Sequence, residues 1–216
     1  MANISLSRDV PAVLEKHVLP NGVVVLFDPE EHKYYVDGEE VPSITTLLEE
    51  RYGSSYGMVH PDILAAAARR GTNVHCELEH FIELRKKDPQ TKIESEYDEV
   101  KNYFEFVEPI YKIASIMNEK VVVLYGADGK VAAAGRFDML CTVNGKKTLV
   151  DFKTTSTIKR QLVSAQLNLY LTGLLQSGYV DSIDDIDLGV IHLSGSKSTY
   201  TPLTKFAKEF YLTFVI

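Results

Sequence analysis

Apolar positions along this chain alternate in some stretches and recur at helical spacing in others, and the switches between the two periods mark out its elements. Residues 23–27 (Val-Val-Val-Leu-Phe) and 32–36 (His-Lys-Tyr-Tyr-Val) read as strands, the second ending at an Asp37-Gly38 turn. Pro42-Ser43 introduces a short helix over 44–50, with Ser43 as its N-cap. Residues 53–57 read as a small-residue loop, and Pro61 fits the first turn of a helix that runs through the alanines towards Arg70. Gly71-Thr72 is either a break or a glycine tolerated inside a longer helix. Beyond it, Val74, Leu78, Phe81, Ile82 and Leu84 form an apolar stripe at helical spacing, closed by Lys86-Lys87-Asp88-Pro89. Tyr97, Val100, Phe104, Val107 and Tyr111 predict another amphipathic helix, with Glu94, Glu96, Asp98, Glu99 and Glu105 on its solvated face.

The second half changes period again. Strands are expected at 121–125, at 131–143 after an Ala127-Asp128-Gly129 turn, and at 146–153 after Asn144-Gly145, a strong hairpin signal. A helix over 157–176, a strand over 187–193 and a final helix over 203–214 complete the pattern. The expected order is an N-terminal helical region followed by strand–strand–strand–helix–strand: a mixed α/β fold, one domain over residues 1–216, with no repeats or linker.

Composition narrows this only a little. Hydrophobic content of 45% and charged content of 25% are ordinary for a globular protein. No apolar run approaches the roughly 18 residues of a membrane span, and the start carries no basic-then-apolar leader, so a cytoplasmic protein without a membrane partner is expected. Cys76 and Cys141 form no CxxC pair and read as small buried residues rather than zinc ligands. A net charge of -7 argues against a nonspecific nucleic-acid coat, while allowing a local basic groove. Lys146, Lys147, Lys153, Lys159 and Arg160 supply such charge around residue 151, and Arg69 and Arg70 supply it ahead of His75.

The chemistry concentrates between Gly135 and Tyr170. Asp138 stands in Gly-Arg-Phe-Asp on one predicted strand, and Asp151 and Lys153 stand in Asp-Phe-Lys on its hairpin partner. Asp151 and Lys153 project from one face, with Phe152 turned into the core. The two carboxylates can approach across the hairpin and offer oxygen ligands to Mg2+ or Mn2+. Such an ion and a nearby ammonium suit attack of water on a phosphodiester. Gln166 and Tyr170 follow one turn apart on the next helix.

This ordered set resembles the PD-(D/E)XK nuclease superfamily, in particular its RecB-like, phage-type exonuclease branch, over roughly residues 42–195. Gly71-Thr72-Asn73-Val74-His75 looks like the histidine motif of that branch. The resemblance implies a restriction-endonuclease-like core with a central mixed sheet flanked by helices. It implies His75, Asp138, Asp151 and the Phe152 carbonyl as metal ligands, Asp138, Asp151 and Lys153 as catalytic residues, and Gln166 and Tyr170 as a DNA-contacting and site-supporting pair. Arg69, Arg70, Lys159 and Arg160 are further expected DNA contacts. Glu79 shares the face of His75 and is expected just outside the ligands. Glu119 could add a carboxylate or an outer contact, although an exposed residue is the simpler reading.

The function so implied is a Mg2+- or Mn2+-dependent deoxyribonuclease, an exonuclease of recombination, repair or genome processing, acting in the host cytoplasm if phage-encoded. DNA is the expected substrate, and a recombination or single-strand-binding protein the expected partner. The iron–sulfur cluster of the related CRISPR adaptation nucleases needs four cysteines, which this chain does not have. A structure-specific endonuclease, an RNA nuclease and a noncatalytic binding subunit of the same fold remain the alternatives, the last disfavoured because Asp138, Asp151 and Lys153 are all present.

Overall fold

A computed structural model describes residues 13–53 and 60–215; most of the loop expected at 53–57 lies outside them. The described residues begin with a four-stranded antiparallel sheet in the order β1-β2-β3-β4: β1 (Glu15–Val18), β2 (Val24–Asp28), β3 (Lys33–Val36) and β4 (Glu39–Val41), of which β2 and β3 are the strands expected ahead of the helices. Alternation sends Val25, Phe27, Tyr34 and Val36 to one side, where they pack with Leu19 and with residues of the second sheet.

Helix α1 (Ile44–Tyr52) begins where Ser43 was expected to cap it: the Ser43 Oγ accepts the Thr46 N–H at 2.9 Å. Gly71 turns out to be tolerated, since α2 (Pro61–Lys87) runs through it unbroken. A Cβ at Gly71 would stand 3.2 Å from Thr154 Oγ1, so its absence lets the helix pass close to the chain just after Lys153. Cys76, expected to be buried, lies on the exposed side of α2, whereas Cys141 is buried.

The next amphipathic stretch is interrupted. α3 (Asp98–Asn102) widens into a π-helical turn over Tyr103–Val107 and closes in a short α4 (Glu108–Ile110). Val100, Tyr103, Phe104 and Val107 nonetheless stay on one buried face. Glu99 departs from the expected solvated face: it is buried and paired with Arg70 at 2.6 Å.

The second sheet has the order β5-β6-β7-β8-β9, with β5 (Ala114–Tyr125), β6 (Val131–Val143), β7 (Lys146–Lys153), β8 (Asp187–His192) and β9 (Thr199–Leu203). All neighbours are antiparallel except β7 and β8, which run parallel and are joined through α5 (Arg160–Gln176). β5 starts earlier than expected and α5 later. In place of the helix expected over 203–214 there is irregular chain and a 3₁₀ turn over Lys208–Thr213, and β9 ahead of it was not expected.

Helix α5 covers one face of the second sheet with Val163, Leu167, Leu171 and Leu174 against Val122, Leu124 and Leu149. α2 and the π-helical turn cover the other with Val74, Leu78, Tyr103 and Phe104 against Met139, Val150 and Phe152. The result is a mixed α/β fold of central sheets flanked by helices. Among the described residues no helix is long and apolar enough to cross a membrane.

Candidate metal and phosphate site

The pleat of β6 changes phase at Asp138. Phe137 packs on the α5 side of the sheet and Met139 on the α2 side, although residues two apart on a regular strand share a face. On β5 the matching irregularity is Glu119, whose φ of 47° is uncommon for a residue with a side chain. Glu119 lies between the pairs Asn118↔Met139 and Lys120↔Phe137, level with Asp138. Carrying the β6–β7 register one step past Met139↔Val150 puts Asp138 level with Asp151. Glu119, Asp138 and Asp151 thus form a row across three neighbouring strands.

The carboxylate of Asp138 stands in for the interrupted ladder. Its Oδ2 accepts the Phe152 N–H at 2.6 Å and lies 3.9 Å from His75 Nδ1, which reaches the row from α2. Ligand atoms of His75, Glu119 and Asp138 all fall within 4.8 Å of one another. The structure therefore gathers a histidine and two acids, with Glu119 drawn in rather than exposed. Glu79, one turn beyond His75, is half-buried, and its carboxyl is raised, first by burial and then against the pull of Arg136.

Asp151 faces a different partner. It is buried, and Lys153 Nζ lies 3.0 Å from its Oδ1 and 2.8 Å from its Oδ2. The same ammonium is 3.3 Å from Gln166 Oε1. Tyr170 is 5% exposed and packs over Gly135, so it is turned into the core rather than presented at the surface. The Phe152 ring is buried edge-on to His75, with centroids 6.0 Å apart, while its backbone meets Asp138.

Electrostatics follow from this crowding. Burial, and then the neighbouring Asp138, push the Glu119 carboxyl up to about 8, against the opposing pull of Arg136. Asp151 is also raised by burial, with Lys153 acting against that and Asp138 adding to it. Burial is the first cause in both, and Asp138 adds to it in each. The donor set, two carboxylates and an imidazole in reach of one point, fits a hard divalent cation.

The remaining expected residues scatter. Arg70 is held by Glu99 and lies over the Tyr97 ring at 5.3 Å, so it ties α2 to α3. Arg69 is exposed on α2, and Lys159 and Arg160 are exposed where α5 begins. Lys146 and Lys147, close in sequence, sit at the far hairpin end of β7, about 13–17 Å along the strand from Asp151. Beside Lys153 and Gln166 opens a cavity of about 350 Å³, walled by Thr45 and Leu48 of α1 and by Thr157 and Leu162.

No protein-family model matches the chain, and no curated protein is similar to it in sequence. Among solved structures that match, one described as the crystal structure of SSO0001 is 16% identical, covers 83% of this chain and 75% of its own, and superposes with a TM-score of 0.45. At that score the likeness carries no argument.

Proposed function

We propose that this protein is a divalent-metal-dependent nuclease that hydrolyses phosphodiester bonds in DNA, built on a restriction-endonuclease-like core. One observation carries the reading: a row of three carboxylates, an imidazole reaching its middle member, and a lysine held on its last member beside an open cavity. His75, Glu119 and Asp138 would hold the cation, with Asp151 next to them. A cation bound there supplies charge neutralisation at the phosphate and a more acidic water.

The chain's own groups divide the rest of the work. Lys153 is anchored by Asp151 and Gln166, so its ammonium is aimed rather than free to swing, and can orient water or meet charge growing on a phosphate oxygen. Gln166 fixes that aim from α5. The cavity beside them has room for part of a nucleotide, with hydroxyls of Thr45 and Thr157 on its wall. Preference for DNA ends rests on the resemblance of the motifs to RecB-like exonucleases.

The test is degradation of end-labelled linear duplex DNA with and without Mg2+ or Mn2+, with Lys153→Ala beside the parent protein. Cleavage should need the metal and fall by about a hundredfold or more in the folded variant. Equal rates in both would sink the assignment of Lys153, and a folded parent that cuts neither duplex nor single strands would sink the nuclease reading. Closed circular DNA, on which a strict exonuclease cannot start, separates end-dependent from internal cleavage.

A further inference from the structure

Glu119 has two suitors in this structure. Its oxygen set belongs to the group shared with His75 and Asp138, yet its Oε2 is 2.8 Å from Arg136 Nε. The Arg136 guanidinium also lies over the Phe27 ring, 5.2 Å from the centroid. Resting on the metal-site reading above, we propose that Arg136 is an exchangeable counter-ion: Glu119 gives up Arg136 when it joins His75 and Asp138 around a divalent cation. The guanidinium then stays seated on Phe27 at the rim, where its hydrogen-bond donors are free to pair with a phosphate.

Four features support the exchange. A guanidinium and a divalent cation on one carboxylate repel each other, so Glu119 cannot serve both at full strength. Arg136 and Glu119 side chains are only 33% and 17% exposed, so solvent screens that conflict weakly. The seat on Phe27 does not depend on Glu119. That ring is 1% exposed and fixed by the N-terminal sheet, and a planar guanidinium can stack on it where a lysine ammonium could not. The left-handed backbone at Glu119 fits this picture, because strained residues tend to persist where a site requires them.

A purely structural ion pair makes the opposite prediction, which allows a direct test with Mn2+ as the probe. Calorimetry on the parent protein, Arg136→Gln and Glu119→Gln should show Arg136→Gln binding Mn2+ about three- to tenfold tighter, since a competing positive charge is gone. Glu119→Gln should bind about tenfold more weakly, having lost a ligand charge. Independently, modification of Arg136 by phenylglyoxal, read by mass spectrometry on the parent protein, should rise several-fold when Mn2+ saturates it. This second readout stands even if Arg136→Gln does not fold. Unchanged or weaker Mn2+ binding by folded Arg136→Gln, or labelling indifferent to Mn2+, overturns the exchange while leaving the nuclease reading intact. A parent protein that binds no Mn2+ overturns both.

Discussion

Gly135 shows how closely single residues are constrained around the site. A Cβ there would fall 2.8 Å from Tyr170 Cε1 and 3.1 Å from Ile44 Cδ1, both buried. Gly135→Ala should therefore cost about 1–3 kcal/mol in urea unfolding, because neither the ring nor the isoleucine has room to yield. A loss within 0.3 kcal/mol would mean that the packing relaxes more easily than its density suggests. At this scale Asp138, Asp151, Lys153 and His75 were legible because each stands in a short motif. Glu119 belongs to none: a left-handed backbone and the register of β5 on β6 bring it in, and neither leaves a local signature.

Among the elements, legibility tracked how local the determining forces are. The bounds of β6 and β7 agree with expectation because Asn144-Gly145 takes up the positive φ values, 50° and 83°, that a tight hairpin requires. α1 likewise begins at its cap, and Ser43→Ala should lose about 1 kcal/mol in chemical denaturation by leaving the Thr46 N–H without its acceptor. No measurable loss would show that the Ser43 hydroxyl contributes nothing there. The first half of β5 was missed because Asn118, Glu119 and Lys120 blur the apolar alternation, and only pairing to β6 makes it a strand. β9 was hidden by Pro202, acceptable there because β9 is the edge of its sheet. The π-helical turn at Tyr103–Val107 has no sequence signal of its own: Val100, Tyr103, Phe104 and Val107 keep the spacing of an unbroken helix.

Over the whole molecule, the N-terminal sheet is part of the site's support. Val25, Phe27, Tyr34 and Val36 pack against Val121, Val123 and Ala134 of β5 and β6, so the two sheets share a core beside Glu119 and Arg136. Phe27→Ala should cost about 3–5 kcal/mol, seen as a lower melting temperature in a single transition. Two separate transitions, with the second sheet melting as in the parent, would show that the first sheet is an independent appendage. Against a net charge of -7, the positive charge around the row is local: Arg136 pairs with Glu119, Lys153 with Asp151, and Lys159 lines the cavity beside Lys153.

By itself the sequence determined the periods, turns and caps, hence the mixed α/β class, the β6–β7 hairpin, and the motifs carrying His75, Asp138, Asp151 and Lys153. These depend on neighbours a few residues apart, where backbone sterics and side-chain alternation act directly. Tertiary structure alone decided that the pleat slips at Asp138, that Glu119 joins His75 and Asp138 while Lys153 takes both oxygens of Asp151, and that Arg70 serves as a strut. Those outcomes turn on register between distant strands and on how buried charges share their partners. Both are settled by the free energy of the packed whole, because desolvated groups must satisfy one another wherever the chain has brought them.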